Sequence, residues 1–80
     1  MASIELRIRA GVRRLDNSYI SGRIRTILDD HGAPGAKVSG SMMMDYDVTD
    51  IPDVVAHSVL AAMQSEPGFE PTLYRPVKVN

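Results

Sequence analysis

The stretch AKVSGSMMMDYDV, residues 36–48, decides how this chain folds. Val38, Met42, Met44, Tyr46 and Val48 fall on one parity, and Lys37, Ser39, Ser41, Met43, Asp45 and Asp47 fall on the other. Successive side chains leave a strand on opposite faces, so a period of two marks a half-buried strand. Read continuously, Ala36–Val48 is one long strand, with Gly40 as a bulge or bend inside it. The lysine and aspartates of the second parity give it a polar face, so we expect only one side to be covered.

Immediately upstream lies HGAPGAK, residues 31–37, a G-x-x-G followed by a lysine. Glycine-rich loops of this kind can clamp phosphates. A phosphate loop, however, runs from strand to helix, so that the helix N-terminus faces the anion. Here the helical segment comes first and the strand second. The Walker spacing also fails, because Ala36 separates Gly35 from Lys37. We therefore read Gly32 as the left-handed residue that closes a helix and Pro34-Gly35 as the centre of a type II turn. The loop is punctuation.

The helix it closes shows apolar residues at Ile20, Ile24, Ile27 and Leu28, one face of a 3.6-residue period. Asp16, Asn17 and Ser18 are available as caps, and His31 falls in the last turn on the apolar side. Gly22 within the helix costs about 1 kcal/mol relative to alanine. Before it, Ser3 to Ala10 alternates cleanly, with Ile4, Leu6, Ile8 and Ala10 against Ser3, Glu5, Arg7 and Arg9.

Downstream of the decisive stretch, Asp50 reads as the N-cap of a second helix that tolerates Pro52 in its first turn and runs to about Ser65. Pro67-Gly68 closes it, and Pro71–Val79 reads as a final strand that Pro76 confines to an edge. The expected order is β-α-β-α-β: a single α/β domain spanning 1–80, in two layers, with a three-stranded sheet and both helices on one face. Long crossovers favour parallel strands joined right-handedly, which makes 36–48 the central strand. On the open face Arg7 and Arg9 would then neutralise Asp45 and Asp47.

Bulk properties narrow the function classes. A chain of 80 residues buries only about 60% of its unfolded surface, so it gains from a partner. Cysteine is absent, which removes disulfides and thiolate metal sites. No apolar run approaches the ~20 residues that span a bilayer, the N-terminus lacks an apolar leader, and we expect a cytoplasmic protein without a membrane contact. Arginine outnumbers lysine seven to two, a usage that fits a high-GC bacterial or phage genome.

Charge is uneven along the chain. Residues 1–28 carry six arginines against Glu5 and Asp16, and residues 29–70 carry eight acids against Lys37. Arg7, Arg9, Arg13 and Arg14 are therefore the candidate residues of a nucleic-acid-binding alternative. Asp45, Asp47, Asp50 and Asp53, with His57 one helical turn after Asp53, have the residue types of a divalent-cation site. Each also has a simpler role in pairing or capping, so no metal and no cofactor is expected. No nucleophile elbow or acid–base pair is evident, so we expect no enzyme.

The second helix carries the strongest functional signal. Val54, Val55, Ala56, Val59, Leu60, Ala61, Ala62 and Met63 cover more than the ~100° stripe of a surface helix. The expectation is a non-enzymatic interaction protein, a homo-oligomer or one docked on a protein partner through this helix or a sheet edge. Val54, Leu60, Met63 and Met43 are its expected apolar contacts and Arg13 and Arg14 its rim charges.

Overall fold

The structure is a computed structural model that describes residues 1–9, 17–40 and 45–75. Strand β1 (Ala2–Ile8) leads to helix α1 (Asn17–Asp30), then β2 (Lys37–Gly40), β3 (Tyr46–Ile51), a 3-10 turn (Asp53–Val55), helix α2 (Ala56–Gln64) and β4 (Phe69–Tyr74). The sheet has four strands in the order β2-β3-β1-β4, and every neighbouring pair is antiparallel.

The expected long strand is thus a hairpin. Lys37 faces Thr49, Val38 faces Val48, Ser39 faces Asp47 and Gly40 faces Tyr46, so the chain reverses between Gly40 and Tyr46. Strand length is the physical reason. Thirteen extended residues would span about 43 Å, twice the ~21 Å of the 14-residue α1 that must cover them. Folding the segment back on itself brings both arms under the helices. It also inverts the direction of everything downstream, which turns the expected parallel, three-stranded sheet into an antiparallel, four-stranded one.

The rest of the topology follows from that reversal. β1 lies between β3 and β4, and the decisive stretch supplies an edge strand and its neighbour instead of the centre. The arrangement is two interleaved split β-α-β units. The strands turn Ile4, Leu6, Val48 and Ile51 into a single core with Ile20, Ile24 and Leu28 of α1 and Val59 and Met63 of α2, all fully buried.

Local chemistry explains the boundaries. Helix α1 ends in a Schellman arrangement: Gly32 adopts φ 82° and the Ala33 amide donates to the Leu28 carbonyl at 2.8 Å. Leu28 and Ala33 are both buried, which is the apolar contact that accompanies this motif. The Ala36 amide then donates to the Ala33 carbonyl at 3.2 Å, closing a turn around Pro34-Gly35. Gly35 does not take the positive φ that a type II turn demands, so the type expected from the sequence is corrected.

Asp50 is the second correction. It lies in β3 with φ 61° and does not cap the second helix, whose 3-10 entry begins after Pro52 with no side-chain cap bond. Between the pairs Ala2–Ile51 and Ile4–Val48, β1 spends only Ser3 while β3 spends Thr49 and Asp50. This bulge resets the alternation of β3 by one residue. Ile51, of the wrong parity to follow Tyr46 and Val48 inward, is thereby buried with them. The last strand starts earlier than expected, at Phe69, and Val77 and Val79 lie outside the described residues.

Candidate functional site

Of the expected apolar contacts, the three described residues differ widely in exposure. Met63 is completely buried and belongs to the core, which corrects its reading as a contact residue. Leu60 is half-buried and packs against that core. Val54 alone stands out, 90% exposed on the 3-10 turn. Met43, Arg13 and Arg14 lie outside the described residues. The wide apolar circumference of α2 has found three supports: Ala56, Val59 and Met63 enter the core shared with the sheet and α1, and Val55 meets the turn at Gly32.

Arg23 of α1 reinforces the helix pair. Its Nε and Nη2 donate to Oε1 and Oε2 of Glu66 at 3.0 and 2.9 Å, a bidentate bridge to the segment that follows α2. Arg25 faces the other way. Its Nη1 donates to the Ala36 carbonyl at 3.0 Å, and its Nη2 to the carbonyls of Ala33 and Pro34 at 3.4 Å each. The HGAPGAK loop thus turns carbonyls toward a cation, the opposite polarity to an anion-binding loop.

The ladders do not make the expected pairing of the β1 arginines with Asp47. Because β3 runs antiparallel, Asp47 comes to face Glu5, while Arg7 faces Glu70 on β4. Arg9 also joins Glu70, with Nη2 3.4 Å from Oε2. Cation and acid therefore separate across the open sheet face. Arg7 and Arg9 stand beside Glu70 at one end, where Arg9 pairs with it, and Glu5, Asp45 and Asp47 line a hollow of about 290 Å³ with Ser39, Gly40 and Tyr46 at the other. Like charges directly opposite one another across two strands are destabilising, so this hollow favours a cation above it.

Tyr74 borders the same face. Its hydroxyl donates to Asp47 Oδ1 at 3.1 Å, reaching across β1. Partial burial and the bond to Asp47 push its phenol above the ordinary range, so it remains a protonated donor.

β2 sits beside the hollow and forms one edge of the sheet. Lys37, Ser39 and Gly40 are exposed and Val38 is half-buried. The Lys37 ammonium lies 3.6 Å from Asp50, with 77% of its side chain in solvent. The opposite edge, β4, carries Pro71, which has no amide to offer a further strand.

At the far end of the sheet, Asp53 meets the N-terminal ammonium at 3.8 Å and Arg75 Nε at 3.6 Å. His57, expected to share a side of the helix with it, is exposed. Among the described residues no group of three or more histidine, cysteine, aspartate or glutamate side chains is placed to hold a metal ion. No described helix is long and apolar enough to cross a membrane.

Only part of this was visible in the sequence. The hollow follows from the direction of β3, which side-chain alternation does not encode, and the β2 edge follows from the hairpin. Comparisons of the chain with protein-family models, curated proteins and solved structures return no match.

Proposed function

We propose that this chain is a non-enzymatic interaction protein that works by self-association or by docking on a protein partner. The observation that carries this reading is the β2 edge. It is a strand with one side paired to β3, no proline and three of its four residues exposed. An edge of this kind presents unpaired amides and carbonyls that another chain can extend. Val54, exposed at 90% while its neighbours Ile51 and Ala56 are fully buried, adds an apolar point for the same kind of contact.

The alternative, nucleic-acid binding through Arg7, Arg9, Arg13 and Arg14, draws less support. Arg9 pairs with Glu70, Arg7 faces Glu70 across the ladder, and the same face carries Glu5 and Asp47, so a phosphate backbone laid along it would meet carboxylates.

Multi-angle light scattering on the full chain, from micromolar to millimolar concentration at low salt, tests the interaction reading. A mass that rises with concentration toward twice the monomer or more is the expected result. A monomer throughout overturns self-association and leaves only docking on a different protein.

A further inference from the structure

The open face and the β2 edge together define which chain fits that edge. We propose that a second copy of this chain pairs with β2 antiparallel, in a two-fold register centred on Val38, and inserts its Lys37 over the acidic hollow. The inference rests on the interaction reading above and names its partner.

The register follows from side-chain parity. Residues that face each other across an antiparallel pair point to the same side of the sheet. In β2, Lys37 and Ser39 share the open face with their partners Thr49 and Asp47, whereas Val38 and Gly40 follow the covered side with Val48 and Tyr46. A two-fold axis through Val38 sets valine against valine beneath the sheet and Lys37 against Ser39 above it. Centring on Lys37 would oppose two ammonium groups, which is unfavourable. Centring on Ser39 would lay Val38 against Gly40 and forfeit the apolar pair.

Charge complementarity supports the same register. Ser39 faces Asp47, so a lysine placed opposite Ser39 stands two strand spacings, ~10 Å, from the Asp47 backbone. The four-carbon stem of lysine and the short stem of aspartate close most of that gap along the surface. The ammonium then comes up to Asp47 on the near side of the hollow, facing the pair of like charges, Asp47 and Glu5, that the antiparallel direction of β3 forced together. Among the described residues, the Lys37 ammonium has a solvent-exposed contact with Asp50, a pair that costs little to release. A two-fold axis makes the contact twice. The pairing is short, so the dimer is weak, concentration-dependent and loosened by salt.

A charge swap tests this register against any other dimer. Sedimentation equilibrium is run on the wild type, Lys37→Glu, Asp47→Lys and an equimolar mixture of the two variants, with thermal melts confirming that each remains folded. The inference expects each variant alone to dimerise about tenfold more weakly than the wild type, and the mixture to recover dimer, since each copy then presents a charge that suits the other's hollow. A wild-type dimer indifferent to both substitutions, or a mixture that recovers nothing, overturns the β2 register and leaves the interaction reading standing. A wild type that stays monomeric overturns this inference and the self-association half of the reading together.

Discussion

Arg23 and Glu66, 43 positions apart, share two parallel hydrogen bonds that tie α1 to the segment leaving α2. The bonds from Arg23 hold the Glu66 carboxyl below its ordinary range, against the upward push of partial burial. A group whose folded pKa is depressed contributes stability that is present above its unfolded value, about 4.3 for glutamate, and lost as pH falls through the folded one. We expect Glu66→Gln to melt roughly 3–6 °C below the wild type at pH 7, with the gap closing as pH drops through and below the wild-type Glu66 pKa. Melting curves between pH 7 and pH 3 check both parts.

Three glycines separate conformational need from mere presence. Gly32 has φ 82°, and a Cβ there would stand 3.3 Å from Val55 Cγ1. Gly32→Ala should therefore cost about 1–2 kcal/mol. Gly35 and Gly22 have open space where a Cβ would go and no left-handed backbone. Gly35→Ala should stay within about 0.5 kcal/mol of the wild type, and Gly22→Ala should stabilise α1 by roughly 0.5–1 kcal/mol. Chemical denaturation of the three variants measures the contrast.

Met63 and Val54 should part company in the same experiment. Truncating the fully buried Met63 to alanine leaves a cavity in the shared core and should cost about 2–5 kcal/mol. Val54→Ala removes a side chain already in water and should change stability by less than about 0.5 kcal/mol. Equal losses would mean that Val54 is packed.

Asp50 tests the bulge. With φ 61°, it occupies a region that aspartate and glycine tolerate and β-branched residues resist. Asp50→Gly should fold normally, whereas Asp50→Val should lose roughly 1–2 kcal/mol. A valine variant as stable as the wild type would show that the backbone there is not held left-handed.

Several parts of this fold are legible in the sequence. The alternation of Ile4, Leu6 and Ile8 and the spacing of Ile20, Ile24, Ile27 and Leu28 identified β1 and the buried stripe of α1, and Gly32 marked the helix end, because each depends on local geometry alone. The hairpin in 36–48 was not legible. A reversal that keeps parity leaves Val38, Tyr46 and Val48 on the same face as a straight strand would. Asp50 misled for a related reason: the residue types that cap helices are also those that accept a left-handed backbone. The excess apolar surface of α2 was visible, but Val55 spends part of it against the turn at Gly32, a contact that no helical wheel contains.

The central position of β1 has a consequence for synthesis. β1 leaves the ribosome well before the strands it will lie between, β3 and β4. A nascent polypeptide halted at Gly40 holds two future strands that never touch each other, so it has no ladder to begin. The first ladder the polypeptide can close is the β2–β3 hairpin, whose residues are all present by Ile51; β1 can then pair with β3, and its other edge stays open until Phe69–Tyr74 arrives.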